Sequence, residues 1–355
     1  MIDQRWQEVA KILVNYSTEV KRGEKVLITM MELDTYPLAI AVYSQVVKAG
    51  GQPHIEFQSS SIDRSLLLYG SSEQISAIPE MHEIGMRWAD VYIGLRGSSN
   101  PYEFSGIGSE KIAARKKAFG HISSLRIEHT RWVLSKIPNE ALAQQAKMSY
   151  DEIMDFYFDA TLKNWEEEVK NYDEIKKVFQ KGDTVKIIGK ETVLQFSTKG
   201  RNYITGSGKR NMPDGEIFTA PVDDSMEGKI YFEFPGVYAG KFIKDIRLEF
   251  SKGKIIKATA SENEDLLKSI ISIDGADRVG EFGVGTNFGI NRFIGDLLFD
   301  EKIGGTIHLA LGWAYSECNG KNKSSIHWDI VKDLRKEGEI LLDGHSVFKN
   351  GAFLS

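Results

Sequence analysis

The chain has 355 residues, 41% of them hydrophobic and 27% charged, and a net charge of -5. That composition can build sizeable cores, the length suits roughly two domains, and an acidic balance without a basic block argues against nucleic acid as a partner. No apolar run approaches the ~20 residues of a membrane span, and Met1-Ile2-Asp3-Gln4-Arg5-Trp6 lacks the charged-then-apolar pattern of a secretory signal. A lone cysteine, Cys318, cannot make an internal disulfide, so a cytoplasmic setting is expected.

Apolar groups at Trp6, Val9, Leu13 and Val14 predict a first helix. Lys25–Met30 reads as a strand, Asp34-Thr35 opens a helix that runs to about Lys48, Gly50-Gly51 ends it, and Pro53–Phe57 reads as the next strand. That βαβ unit predicts a parallel sheet, which strands at Asp90–Leu95 and Trp132–Ser135 extend. The N-terminal part, residues 1–190, is therefore expected to be an α/β domain with a doubly wound, mostly parallel sheet. A long polar helix is expected around 150–180. Beyond it the pattern changes: a hairpin at Thr184–Ile188 and Thr192–Phe196, then short strands near 229–234, 245–250, 254–259 and 305–312, with one helix near 261–273. Residues 191–355 are expected to form a strand-rich α+β domain.

Chemistry concentrates in that second part. Ser325–Val331 is short, β-branched and alternating, so it predicts a strand on which His327 and Asp329 share a face while Trp328 points away. An imidazole beside a carboxylate on a rigid strand is half of a metal site, although His-x-Asp by itself is more often structural. Glu216 and Glu281 each lead an otherwise apolar strand, in Glu216–Pro221 and Gly280–Asn287. His308 interrupts the apolar run Thr306–Leu311, and Tyr315 follows it. A carboxylate turned into a core costs several kcal/mol unless it is paired or metal-bound. Each residue alone is more often a satisfied structural group than a ligand.

Together these segments resemble the metalloaminopeptidases of the aminopeptidase T and aminopeptidase S type. The resemblance covers most of the C-terminal part and the general layout of the N-terminal part. It implies a catalytic C-terminal domain that holds two divalent metal ions (Zn, Co or Mn) on Glu216, Glu281, His308, His327 and Asp329. It also implies a homodimer acting on short peptides, with the N-terminal domain helping to enclose the site. Two cations bring four positive charges and the three carboxylates three negative ones, leaving a positive centre suited to binding water as hydroxide. Glu281 is the expected carrier of a proton from water to the leaving amine, and Tyr315 the expected hydrogen-bond donor to the tetrahedral oxyanion. The stretch from Tyr315 to His327 is shorter than in the best-known members, so substrate preference does not carry over.

Other features read more plainly. Gly283-Val284-Gly285-Thr286-Asn287-Phe288-Gly289 lacks dinucleotide-loop spacing, and its glycines suit a close backbone approach. Gly106–Lys111 lacks Walker spacing and reads as a helix entry. His54, His82, His121, His129 and His345 have no ligand-like neighbours in the sequence, Asp223-Asp224 reads as a solvated turn, and the charged run from Trp165 to Lys177 as a helix face. Rival functions are a mononuclear-iron, ring-cleaving dioxygenase on a similar scaffold, a specialised amidase, and a non-catalytic metal-stabilised or peptide-binding protein.

Overall fold

The computed structural model describes residues 3–354; Met1 and Ile2, which belong to the N-terminal signal reading, lie outside them. The chain divides into two compact units, Met1–Leu162 with Gly208–Pro213, and Lys163–Ser207 with Asp214–Ser355.

In the first unit, β1 (Lys25–Met31), β2 (Gln52–Gln58), β3 (Val91–Arg96) and β4 (Arg131–Lys136) form a parallel sheet in the order β2-β1-β3-β4, extended beyond β4 by Asn211–Met212. Val26, Leu27 and Ile28 of β1 are buried in succession, as expected of a central strand covered on both faces. Between β1 and β2, the helix Tyr36–Lys48 starts with Pro37 in its first turn and is followed by Gly50 in the left-handed region at φ +82°. The chain passes from β1 to β2 on one side and returns to β3 and β4 on the other. Right-handed crossovers therefore place the connecting helices on opposite faces, a doubly wound arrangement. Trp6, on the first helix (Arg5–Lys11), is buried against Tyr157 and Phe158 at ring separations of 5.6 and 4.8 Å.

The second unit is strand-rich and antiparallel. An eight-stranded sheet runs in the order Lys254–Thr259, Arg247–Ser251, Glu227–Tyr231, Thr192–Ser197, Thr184–Gly189, Glu339–Leu342, His345–Lys349, Ala352–Phe353. A five-stranded sheet holds β5 (Ile204–Gly206), β6 (Glu216–Thr219), β7 (Val279–Gly285), β8 (Thr306–Gly312) and β9 (His327–Asp333) in the order β9-β8-β7-β6-β5. Every residue of β7 and β8 is buried. Phe282, facing away from the Glu281 side, packs on Phe196 at 5.0 Å and on Phe179 of the helix Trp165–Lys181 at 6.5 Å.

The polar helix expected around 150–180 is two helices, Tyr150–Thr161 and Trp165–Lys181. Ser149 and Glu152 form a reciprocal capping box at the start of the first. The second begins with Glu166, Glu167 and Glu168, three acids in the first turn that favour the positive end of the helix dipole. This second helix and the hairpin at 184–197 lie in the second unit, so the 190/191 division expected from sequence falls at the hairpin turn. No helix among the described residues is long and apolar enough to cross a membrane.

Candidate metal centre

Five side chains converge on one face of the five-stranded sheet, each placed by the alternation of its strand. His327 and Asp329 project together from β9, with Asp329 level with Ala310 of β8 and His327 level with Gly312. On the next strand, Glu281 also lies level with Ala310, and Gly283 lies level with His308. Glu216 opens β6 opposite Gly285. The small residues at 283, 285, 310 and 312 leave room over the sheet for the large polar ones. Gly283 is the one that clears the imidazole, because a Cβ there would overlap Cε1 and Nε2 of the His308 ring.

The result is two overlapping triads, Glu216–Glu281–His308 and Glu281–His327–Asp329, each with ligand atoms within 4.8 Å of one another. Glu281 belongs to both. Its Oε1 lies 3.1 Å from His308 Nε2 and its Oε2 3.3 Å from His327 Nε2. Glu216 Oε2 lies 3.3 Å from His308 Nε2, and Asp329 Oδ2 3.5 Å from His327 Nε2. His308 is fully buried; Glu216, Glu281 and Asp329 are no more than 7% exposed.

Backbone carbonyls set both imidazoles. His308 Nδ1 donates to the Glu301 carbonyl at 3.0 Å, and His327 Nδ1 donates to the Trp313 carbonyl at 2.8 Å. A carbonyl only accepts, so in the neutral ring Nδ1 carries the proton and Nε2 offers its lone pair to the carboxylate cluster, the outer-shell arrangement that ligating histidines need.

The charge balance favours cations. Burial pushes the His308 pKa down, but the hydrogen bond to Glu281 and the charges of Glu216, Glu281 and Asp329 outweigh it and raise it to about 9. Burial likewise pushes His327 down, but Asp329 and Glu281 outweigh it and raise its pKa to about 10. Glu216 and Asp329 are pushed up, chiefly by burial. Burial acts in the same direction on Glu281, but the two histidines hold it low. Glu216 Oε2, Glu281 Oε2 and Asp329 Oδ1 are buried without a hydrogen-bond donor. Buried carboxylate oxygens in that condition need compensation. Mixed carboxylate and imidazole donors, with no thiolate, fit borderline divalent metal ions and leave positions open for water.

Tyr315 stands at the rim. Its ring lies 5.0 Å from the His327 ring, 4.9 Å from Trp313 and 5.7 Å from Phe218, all in tilted or edge contacts. Burial, then Glu281 and Asp329, push the phenol pKa well up, which keeps it a proton donor. Two participants escaped the sequence reading. Trp313 presents its carbonyl to His327, and the residue is exposed, its ring in edge contact with Tyr315. Lys302 is fully buried, 3.5 Å from Glu216 Oε1 and paired with Glu301. A lysine in a mixed turn gives no signal that its ammonium will be buried against an acid from another strand.

The plainer readings have definite places. Gly283 and Gly285 lie inside β7 and not at a strand-to-helix turn. Gly106–Lys111 leads into the helix Ser109–His129. Asp223 pairs with Arg201 at 2.9 Å. His82 pairs with Glu56, His121 with Glu83 and His129 with Glu128, and none of the other five histidines joins a metal-type cluster among the described residues.

Residues 2–353 match the thermophilic metalloprotease (M29) family. Aminopeptidase PepS of Streptococcus thermophilus is 22% identical, over 92% of this chain and 91% of that protein. AmpT from Thermus thermophilus superposes with a TM-score of 0.88 at 19% identity, over all of both chains. 2,5-Dihydroxypyridine dioxygenase from Pseudomonas putida KT2440 superposes less well, with a TM-score of 0.60 at 12% identity, over 99% of this chain and 97% of that one. Both structural likenesses bear on the fold, an α/β unit followed by a strand-rich α+β unit.

Proposed function

The chain belongs to the thermophilic metalloprotease (M29) family, and from that premise we propose that it is a metal-dependent aminopeptidase that removes N-terminal residues from short peptides. The observation that carries the two-metal form of this reading is the shared position of Glu281, which gives one carboxylate oxygen to each triad. In this reading Glu216 and His308 would hold one divalent ion, His327 and Asp329 would hold the other, and Glu281 would serve both. The bound ions, Zn, Co or Mn, would supply Lewis acidity and lower the pKa of a water molecule.

The chain's own residues do the rest. Glu281 takes a proton from the attacking water and passes it to the leaving amine. The water oxygen bonds to the carbonyl carbon, the C–N bond breaks, and the proton ends on nitrogen. The Tyr315 phenol donates a hydrogen bond to the oxygen that becomes negative in the tetrahedral state. The carbonyls of Glu301 and Trp313 keep the imidazoles aligned through the cycle. The free amine of a substrate needs a metal or carboxylate partner at the centre, and that requirement makes the enzyme an exopeptidase. A homodimer and a cytoplasmic setting accompany this reading through the family resemblance, and a single buried free thiol at Cys318 suits a reducing compartment.

The test is amino-acid release from dipeptides and tripeptides by full-length protein reconstituted with Zn, Mn or Co, against N-acetylated peptides and chelated protein. Metal-dependent release from free-amine peptides alone supports the reading. One iron per chain with oxygen uptake and no release would replace it with a ring-cleaving dioxygenase.

A further inference from the structure

The first unit has a cavity of about 530 Å³ that the proposed peptidase chemistry does not use. It opens at the carboxyl ends of the parallel strands. Its walls include Thr29 and Met31 from β1, Gln58 from β2, Arg96 from β3 and Lys136 from β4. With the order β2-β1-β3-β4, the chain reverses its direction of travel across the sheet between β1 and β3. That switch point forms a crevice where open α/β sheets bind ligands.

The charges lining the cavity do not balance. Its two carboxylates are already engaged, Asp63 with Arg115 at 3.0 Å and Glu56 with His82. Arg96 and Arg126 have no such partner: the Nε of each is buried without a hydrogen-bond acceptor, and neither guanidinium forms an ion pair among the described residues. Arg126 is held by aromatic faces, its Cζ 4.3 Å from the Trp132 ring and 5.9 Å from Tyr92. Arg210 stacks on the same Trp132 ring at 5.0 Å. The charged groups that act on Arg126 are two more guanidiniums, Arg96 and Arg210, and the Tyr92 phenol. Burial, with repulsion from those arginines, pushes its pKa down. Arg210 is exposed, but Arg96 and Arg126 are partly buried with no anion beside them, which leaves bidentate donors unused. Met86, Leu95, Phe119 and Ile122 supply an apolar wall beside them.

We propose that this cavity is a second ligand site, one that binds a small organic anion by placing its carboxylate or phosphate between Arg96 and Arg126 and its apolar body against Phe119 and Ile122. Planar oxyanions match the guanidinium fork, and neutralising two crowded arginines removes their mutual repulsion on binding. The volume admits a molecule of roughly small-aromatic-acid size and excludes a folded partner.

The test is calorimetric titration of the full-length, metal-loaded protein in low-salt buffer with benzoate, phenyl phosphate and inorganic phosphate. The benzoate and phenyl phosphate arms distinguish a carboxylate ligand from a phosphorylated one. Saturable binding of one organic anion, with inorganic phosphate weaker, is expected. Arg96→Gln and Arg126→Gln should each weaken it tenfold or more. Arg126 also packs on Trp132, so Ser123→Glu is the independent variant. It puts a carboxylate at an exposed cavity-lining position on the helix Ser109–His129 without touching the core, and should weaken binding several-fold at an unchanged melting temperature. No saturable heat from any probe overturns the proposal. So does binding that Arg96→Gln and Ser123→Glu leave intact, which would place the anion at the metal centre instead.

Discussion

Gly283→Ala tests the geometry of the centre with a single methyl group. A Cβ at 283 would occupy the space of His308 Cε1 and Nε2. Neither neighbour has room to yield. The backbone of Gly283 is fixed between His308 of β8 and Phe218 of β6, and the ring is tethered through Nδ1 to the Glu301 carbonyl. The ring must rotate, and its 3.1 Å approach to Glu281 is lost. Overpacking of this kind costs about 1–3 kcal/mol of stability. Misdirecting a ligand, like loss of its supporting shell, weakens a metal site by about 10–100-fold. Thermal unfolding of the chelated variant reads the first quantity, and zinc competition against a chromophoric chelator reads the second. A variant that melts and binds zinc as the parent does would refute the placement of His308 across Gly283.

The other predictions concern the reacting groups and their support. Glu281→Gln keeps the shape of the side chain but removes the base and one ligand charge, so kcat should fall by at least about 100-fold, the loss expected for a general base; steady-state turnover of a dipeptide checks it, and near-parental turnover contradicts the role. Tyr315→Phe should lower kcat by about 10–1000-fold with little change in KM and no change in metal content, since the lost hydrogen bond belongs to the transition state. Lys302→Met removes a fully buried ammonium, which leaves Glu301 without its partner and Glu216 with His308 alone. Breaking one side of such a pair costs about 3 kcal/mol or more, roughly 6–12 °C in the melting point of chelated protein, and unchanged melting would show that the ammonium is not needed there.

Sequence periodicity made the single-strand elements of the site legible. Alternation in Ser325–Val331 places His327 and Asp329 on one face, and the structure has them there. The parallel sheet followed from apolar runs separated by helical stretches with glycine and proline boundaries. What periodicity cannot supply is register across strands. Glu281 reaches Ala310 because β7 and β8 shift register between Val279 and Glu281, at Gly280, an irregularity that alternation alone does not reveal. Nor can it supply the supporting shell, since the carbonyls of Glu301 and Trp313 are backbone atoms that any residue would offer. Lys302 looks like any surface lysine until its turn folds under Glu216. The arginine-lined cavity depends on strand order, because Arg96 and Arg126 sit on a strand and a helix that meet only once the sheet is wound. The helix break at 162–164 was readable: three consecutive acids after Asn164 mark a new N-terminus.

The most direct test of the two-metal peptidase is stepwise reconstitution of chelated protein with zinc, following dipeptide hydrolysis and bound metal in the same samples. Activity that requires a free N-terminal amine and saturates at two ions per chain is the predicted result. Saturation at one ion, or metal-loaded protein that releases no amino acid from any peptide with a free amine, would contradict it.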